Sequence, residues 1–287
     1  MRGLAARHPA GVALGATAAY FAILAAPSLL HSTAFGRDPE MNPQSAPVSQ
    51  VPLEVALAVS VVGLVLLLGW GRSARVTSGP AWGGLWYAVP PALVTLGLLA
   101  VGVSVVTEGG GDLGAVLASG LIQQVLILVV LVGIFEEVLF RGVVLHGLER
   151  RIGPVAALLA SSALFGAMHY VNWVNGQSLC ATHAQVVHAG LSGLLYGALA
   201  LRTRSVWPGA ALHALWDFVV TANGAFLGSA FGDAPPGADE PESLPMLALH
   251  YFEPILGLVV LAGWWRWHRR QPPPSWPASH PPEGRPT

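Results

Sequence analysis

Eight stretches of nearly unbroken apolar character divide this chain. They run roughly from Pro9 to Leu30, Leu53 to Gly71, Trp82 to Val106, Leu113 to His146, Pro154 to Val171, Ala184 to Leu201, Val206 to Val220 and Leu244 to Trp267. A membrane-crossing helix needs about 20 mostly apolar residues, so each stretch comes near one crossing. The pattern predicts an all-α fold, a polytopic membrane helical bundle of about eight transmembrane helices. The fourth stretch exceeds one crossing and is expected to extend beyond the bilayer or to break near Gly142. Pro90 and Pro91 are expected to kink the third, or to mark its true start. The Pro-rich run from Gln271 to Thr287 lacks apolar content and reads as a disordered tail, which leaves residues 1–270 as the membrane domain.

Composition agrees. Of 287 residues, 53% are hydrophobic and 10% charged, against about 25% charged in soluble domains. The lipid bilayer is therefore the first expected partner. A formal net charge of −1 gives no sign of a nucleic-acid partner. Every basic residue is Arg, and Ala, Gly and Pro abound, a bias suggesting a bacterial source and hence the plasma (inner) membrane. The single cysteine, Cys180, excludes an intrachain disulfide.

Charge placement orients the helices. Arg2 and Arg7, Arg72 and Arg75, Arg150 and Arg151, Arg202 and Arg204, and Arg266, Arg269 and Arg270 fall at alternate ends of the stretches. The opposite ends carry Arg37 with Asp38 and Glu40, then Glu108 and Asp112, an uncharged loop, and Asp233, Asp239, Glu240 and Glu242. Positive-inside reasoning then places both termini in the cytoplasm, with eight spans. Arg2 and Arg7 ahead of an apolar run, with Ala25 and Ala26 beyond it, also fit a signal peptide. That run is longer than a typical signal core, and removing it would leave the later topology unchanged.

The polar residues inside these stretches carry the chemistry. Phe135-Glu136-Glu137-Val138-Leu139-Phe140-Arg141 places three charges at the end of a long apolar run. Each costs roughly 2.5–3.5 kcal/mol at the centre of a membrane helix on insertion scales. Glu137 and Arg141 are four apart and share a helix face, so they can neutralise each other. Glu136 points about 100° away and is left without a local partner. Phe165 and His169 lie one turn apart in the fifth stretch, as do His213 and Asp217 in the seventh.

Counting inward at 1.5 Å per residue puts Glu136 about 21 Å from Arg150 and His169 about 22 Å from Pro154. His213 and Asp217 lie about 13 Å and 19 Å from Arg204. Residues of three spans are thus expected at similar depth. Structural roles compete with functional ones: Glu137 with Arg141 reads as a structural pair, His188 as a helix-to-helix hydrogen bond, and Asp217 as an orienting group for His213. Intramembrane ionisable groups are functional by default, so Glu136, His169 and His213 are the candidate catalytic residues.

The three patterns, Glu136-Glu137-Val138-Leu139-Phe140-Arg141, Phe165-Gly166-Ala167-Met168-His169 and His213-Ala214-Leu215-Trp216-Asp217, resemble in order the motifs of the CPBP intramembrane proteases. That family includes type II CAAX prenyl endopeptidases and bacteriocin-processing or self-immunity proteins. The resemblance covers about residues 123–220 and implies hydrolysis of a peptide bond of a membrane-associated protein or peptide. Glu136, His169, His213 and Asp217 match the family's catalytic positions, with Glu137 and Arg141 in support. A carboxylate in apolar surroundings is poised to take a proton from water. His169 is then expected to hold that water, and His213 to donate to the oxyanion.

Zinc is a possible cofactor, since two His and a Glu suffice as ligands. The chain has no His-Glu-x-x-His, however, and the family is also read as metal-free glutamate peptidases, which is the preferred reading. Prenyl-protein members carry Asn where this chain has Asp217. An ionised Asp only accepts hydrogen bonds, so a simple oxyanion role for it, and prenylated substrates with it, fall in doubt.

Two other classes compete. Gly190-Leu191-Ser192-Gly193 with His213 resembles the serine and histidine of rhomboid proteases, yet leaves Glu136, Glu137, Arg141 and His169 unexplained. A non-catalytic immunity factor, scaffold or transporter is the other, although the repeated halves of a transporter are not seen. The topology is directly testable. Reporter fusions after Gly110 and after Glu240 should both report the outside, and a cytoplasmic signal at either would refute eight spans with cytoplasmic termini.

Overall fold

The computed structural model describes residues 1–35, 47–231 and 244–270, and all of its regular structure among them is helical. The expected disordered tail lies outside these residues, as do Arg37, Asp38, Glu40, Asp233, Asp239, Glu240 and Glu242. In chain order the helices are α1 (Arg2–Arg7), α2 (Pro9–Phe35), α3 (Pro47–Leu68), α4 (Trp82–Leu85), α5 (Val89–Glu108), α6 (Leu113–Ala118) and α7 (Leu121–Glu137). There follow α8 (Leu145–Ile152), α9 (Pro154–Met168), α10 (Tyr170–Val174), α11 (Leu179–Thr203), α12 (Trp207–Phe231) and α13 (Leu244–Arg269).

Six helical segments among the described residues are long and apolar enough to cross a membrane: Pro9–Pro27, Gln50–Leu68, Trp82–Glu108, Pro154–Val174, Leu179–Thr203 and Trp207–Gly228. The protein is thus a polytopic helical bundle. Its outer faces carry exposed apolar side chains such as Leu66, Leu67, Leu93 and Val259. That is the distribution expected when lipid, not water, surrounds the fold.

The long fourth stretch resolves into parts. Gly120, with φ 76°, separates α6 from α7. After the 17 residues of α7, the helix widens into a π-helical segment, Val138–Val144, before α8 resumes the α-helix. The expected break near Gly142 is therefore a change of helical pitch that keeps the chain running in one direction. All seven π-helical residues are buried. Such segments are rare and concentrate at functional sites. Pro90 and Pro91 mark a true start: they occupy the first turn of α5, where a missing N–H costs nothing, after a short 3₁₀ turn at Trp86–Ala88.

The core forms where α7, the π-helical segment and α9 to α13 meet. α11 packs on α9 and α13, and α12 on α7 and α5, while α3 covers α7. Small residues set the closest approach. A Cβ on Gly166 would lie 2.5 Å from the Val186 carbonyl oxygen and 3.0 Å from the Gly190 Cα, so α9 and α11 touch backbone to backbone. Without a hydrophobic drive between helices in lipid, such close packing is a main source of association.

At the end carrying Arg75, the loop after α3 is tied down twice. Arg75 pairs with Glu149 at 2.7 Å, and the Trp207 indole N–H donates to the Val76 carbonyl at 2.8 Å.

The α9–α11 crossing yields a prediction with an internal control. Gly166→Ala forces backbone against backbone and should destabilise the protein by roughly 1–3 kcal/mol, as overpacking does. At Gly190 an added Cβ meets nothing closer than 3.6 Å, so Gly190→Ala should leave the melting temperature nearly unchanged. Equal melting of the two variants in detergent would refute the crossing.

Candidate active site

His213 of α12 is the centre of the site, and three carboxylates face its ring. Nδ1 hydrogen-bonds to Glu137 Oε1 at 3.2 Å, while Nε2 faces Asp217 Oδ2 at 3.4 Å and Glu136 Oε2 at 3.6 Å. Adjacent residues of α7 thus approach opposite nitrogens of one imidazole, as their angular separation along a helix allows. The ring itself is clamped. It stacks on Tyr196 at 5.2 Å with planes 11° apart, and meets the Phe165 ring edge-on at 5.6 Å.

Glu137 is fully buried, and so is its partner Arg141. Their ion pair measures 2.8 Å, and the guanidinium also donates to the Gly193 carbonyl at 3.3 Å and lies 4.3 Å above the Phe165 ring. Because Arg141 fixes the carboxylate that accepts from His213 Nδ1–H, the pair is more than structural filling. It holds the orientation of the imidazole through Nδ1, while Asp217 faces Nε2. Gly209 leaves room for this: a Cβ there would stand 3.1 Å from Glu137 Oε2.

His169 caps α9 and is held by a 3.0 Å hydrogen bond from its Nδ1 to the Phe165 carbonyl. A carbonyl only accepts, so Nδ1 carries the hydrogen and Nε2 is left to act. Phe165 therefore serves both motifs at once, giving His169 its backbone anchor and His213 its packing wall.

The protons can be reasoned from geometry. Nε2 of His213 faces oxygens of two carboxylates, and three bare lone pairs in that space would repel. At least one proton must lie among Nε2, Glu136 and Asp217. The arrangement can hold a proton and hand it on. The Glu136 Oε2 atom is buried and completes no hydrogen bond.

Beside these groups lies a cavity of about 350 Å³ lined by His169, Gln185, His188, Ser192, His213 and Asp217, among others. His188 stacks on Trp216 at 5.5 Å and forms part of this lining, so it belongs to the cavity wall. The structure thus brings together Glu136, His169, His213 and Asp217, which the sequence assigned to similar depth, with Glu137 and Arg141 beside them.

Two carboxylates were not found from sequence. Glu54 of α3 lies within electrostatic reach of Glu136, and Glu253 of α13, 5% exposed, within reach of His213 and Asp217. Each is a lone charge inside an apolar run, and that cost was the only available signal.

Zinc and the rhomboid alternative can now be tested against the geometry. Among the described residues, no group of three or more His, Cys, Asp and Glu side chains is arranged to hold a metal ion. The residues do not fit the ion, and no step below is routed through one. Ser192 is buried beside the Glu253 carboxyl, while the His213 nitrogens face carboxylates. A serine–histidine pair is not formed.

Residues 118–219 match the Rce1-like family of type II CAAX prenyl endopeptidases. The match covers all three motifs and is consistent with the CPBP resemblance. It supports a CAAX-type intramembrane endopeptidase as the general class. No curated protein and no solved structure matches the chain.

The pair at the centre carries a prediction. Arg141→Ala would leave Glu137 buried without its cation, at a cost of roughly 3–5 kcal/mol. The variant should accumulate less folded protein and melt lower, as well as lose activity. Normal abundance and melting, measured by size-exclusion chromatography and a thermal ramp in detergent, would contradict this.

Proposed function

We propose that the protein hydrolyses a peptide bond of a membrane-associated protein or peptide, using water activated by Glu136. The observation that carries the reading is the convergence of Glu136 and Asp217 within 3.6 Å of His213 Nε2, beside a cavity lined by His213, Asp217 and His169. In this reading Glu136 takes a proton from water as oxygen attacks the carbonyl carbon. His169 Nε2 accepts from the same water and aims it. His213 Nε2 donates to the developing oxyanion, with its ring held by Glu137, Tyr196 and Phe165. The proton on Glu136 then passes to the amide nitrogen as the C–N bond breaks, which releases an amine and a carboxylic acid and restores the site.

Asp217 has the part of an acceptor on His213 Nε2, since an ionised carboxylate cannot donate to an oxyanion. It keeps a proton near Nε2 between turnovers. The match to CAAX endopeptidases suggests a substrate presented from the membrane, and Asp in place of Asn argues against assuming a prenylated one. The proposal takes the metal-free glutamate form.

Glu136→Gln keeps the shape of the side chain but cannot accept a proton. It should fold normally and lower cleavage by about 10²–10⁴-fold, the usual loss on removing a general base. The measurement compares peptide termini in membranes carrying wild-type or variant protein. Full activity in the variant would overturn the mechanism. Purified active enzyme with stoichiometric zinc, lost on His213→Ala, would overturn its metal-free form.

A further inference from the structure

The cavity beside His213 has a polar group that the mechanism leaves unused. Gln185 of α11 is half-buried and lines it together with His169, His213 and Asp217. Its Oε1 accepts a hydrogen bond from the Asn172 side-chain NH2 at 2.9 Å. Asn172 lies on α10, and its backbone N–H donates to the His169 carbonyl at 2.9 Å. One side chain therefore ties Gln185 to the turn that carries a candidate catalytic histidine. With its oxygen engaged by α10, Gln185 has its NH2 group, two donors, to offer the cavity.

A simple tie between α10 and α11 would account for the Asn172 bond, but other contacts already make that tie. The Tyr170 hydroxyl meets His183 Nδ1 at 2.9 Å, and the Thr182 hydroxyl donates to Gln177 Oε1 at 3.2 Å. The Gln177 N–H also donates to the Asn172 carbonyl at 2.8 Å. The shape of the cavity gives the amide another use. Gln185, Ala189, Ser192 and Tyr196 line it from successive turns of α11. The stretch from Gln185 to Tyr196 covers about 16 Å at 1.5 Å per residue, the length of four or five extended residues at about 3.3 Å each. An extended chain leaves its carbonyls without the partners a helix supplies, and within a membrane water does not replace them. A donor on the cavity wall does.

We infer that the Gln185 NH2 group binds a main-chain carbonyl of the substrate, holding the chain extended along α11, and that Asn172 positions Gln185 for this contact. The inference rests on the proposed peptidase reading. Every residue carries a backbone carbonyl, so this donor reads an unwound segment and is indifferent to its side chains. A segment that is still helical has its carbonyls occupied, except in its last turn, and gains nothing from Gln185.

Binding and cleavage tests separate this inference from the reading beneath it. Full-length Glu136→Gln protein in lipid nanodiscs is titrated with a short fluorescent Leu/Ala peptide. Analogues in which one backbone amide at a time is replaced by an ester follow, since an ester carbonyl is the weaker acceptor. Replacement at one position should weaken binding about fivefold, the scale of one neutral hydrogen bond. Adding Gln185→Met, which keeps the length but has no donor, should erase the penalty at that position. Adding Gln185→Glu, which still accepts from Asn172, should erase it too, and adding Asn172→Ala should shrink it. Each double variant is checked for folding by thermal melting.

Failure of the all-amide peptide to bind, or equal binding of every ester analogue, would overturn the contact. So would an ester penalty that survives the Gln185 variants. Should both of these fail to fold, an undiminished penalty in Asn172→Ala would overturn it equally. Cleavage is followed separately, in the wild type and in Glu136→Gln. A penalty coupled to Gln185 together with undiminished cleavage by Glu136→Gln would sink the mechanism and leave the contact standing. Cleavage lost in Glu136→Gln with no coupled penalty would do the reverse.

Discussion

Among the described residues Arg141 is the one buried arginine, and the site depends on how it is neutralised. An isolated guanidinium among apolar helices is strongly disfavoured. Here the compensation is shared: an ion pair to Glu137 at 2.8 Å, a backbone carbonyl at Gly193 and the face of Phe165. Those partners belong to α7, α11 and α9, so one charge fixes the relative placement of three helices. The carboxylate so anchored then accepts from His213 on α12. Stability and chemistry are therefore coupled through Glu137, whose oxygen Oε1 faces both Arg141 and His213.

Such a network needs helices that approach closely, which explains where the small residues fall. Gly193 exposes the carbonyl that Arg141 reaches, Gly166 lets α9 meet α11, and Gly209 makes space for the Glu137 carboxylate. The π-helical segment plays a related part. Arg141, Phe140 and Gly142 all lie within it, and Phe140 offers its carbonyl to Ser161 at 2.7 Å. A widened turn frees carbonyls from the regular ladder, and here one of them becomes a bond between helices.

The sequence revealed much of this, and for reasons that can be stated. Charged residues are so costly in apolar stretches that Glu136, Glu137, Arg141, His213 and Asp217 stood out at once, and helical spacing paired Glu137 with Arg141. Counting inward along the helices brought four residues to a common depth, and the structure sets His169, His213 and Asp217 at one cavity with Glu136 beside the His213 ring. Lateral relations were beyond that reasoning. Which nitrogen of His213 faces which carboxylate depends on the rotation of α12 against α7, which no spacing encodes. The π-helical pitch left no mark beyond a stretch too long for one crossing. Glu54 and Glu253 went unread because each stands alone in its helix, with no partner at i+3 or i+4 to give it a face.

Asp217 shows how a one-atom change can redistribute roles within such a network. An Asn amide at this position would offer Nε2 of His213 either an acceptor or a donor, and could turn its donor to a substrate oxyanion. The carboxylate at 3.4 Å offers acceptance alone. In the proposed mechanism oxyanion stabilisation then falls to His213, whose other nitrogen is already committed to Glu137. The ring that results is faced by carboxylates on both sides, Glu137 at Nδ1 and Glu136 with Asp217 at Nε2.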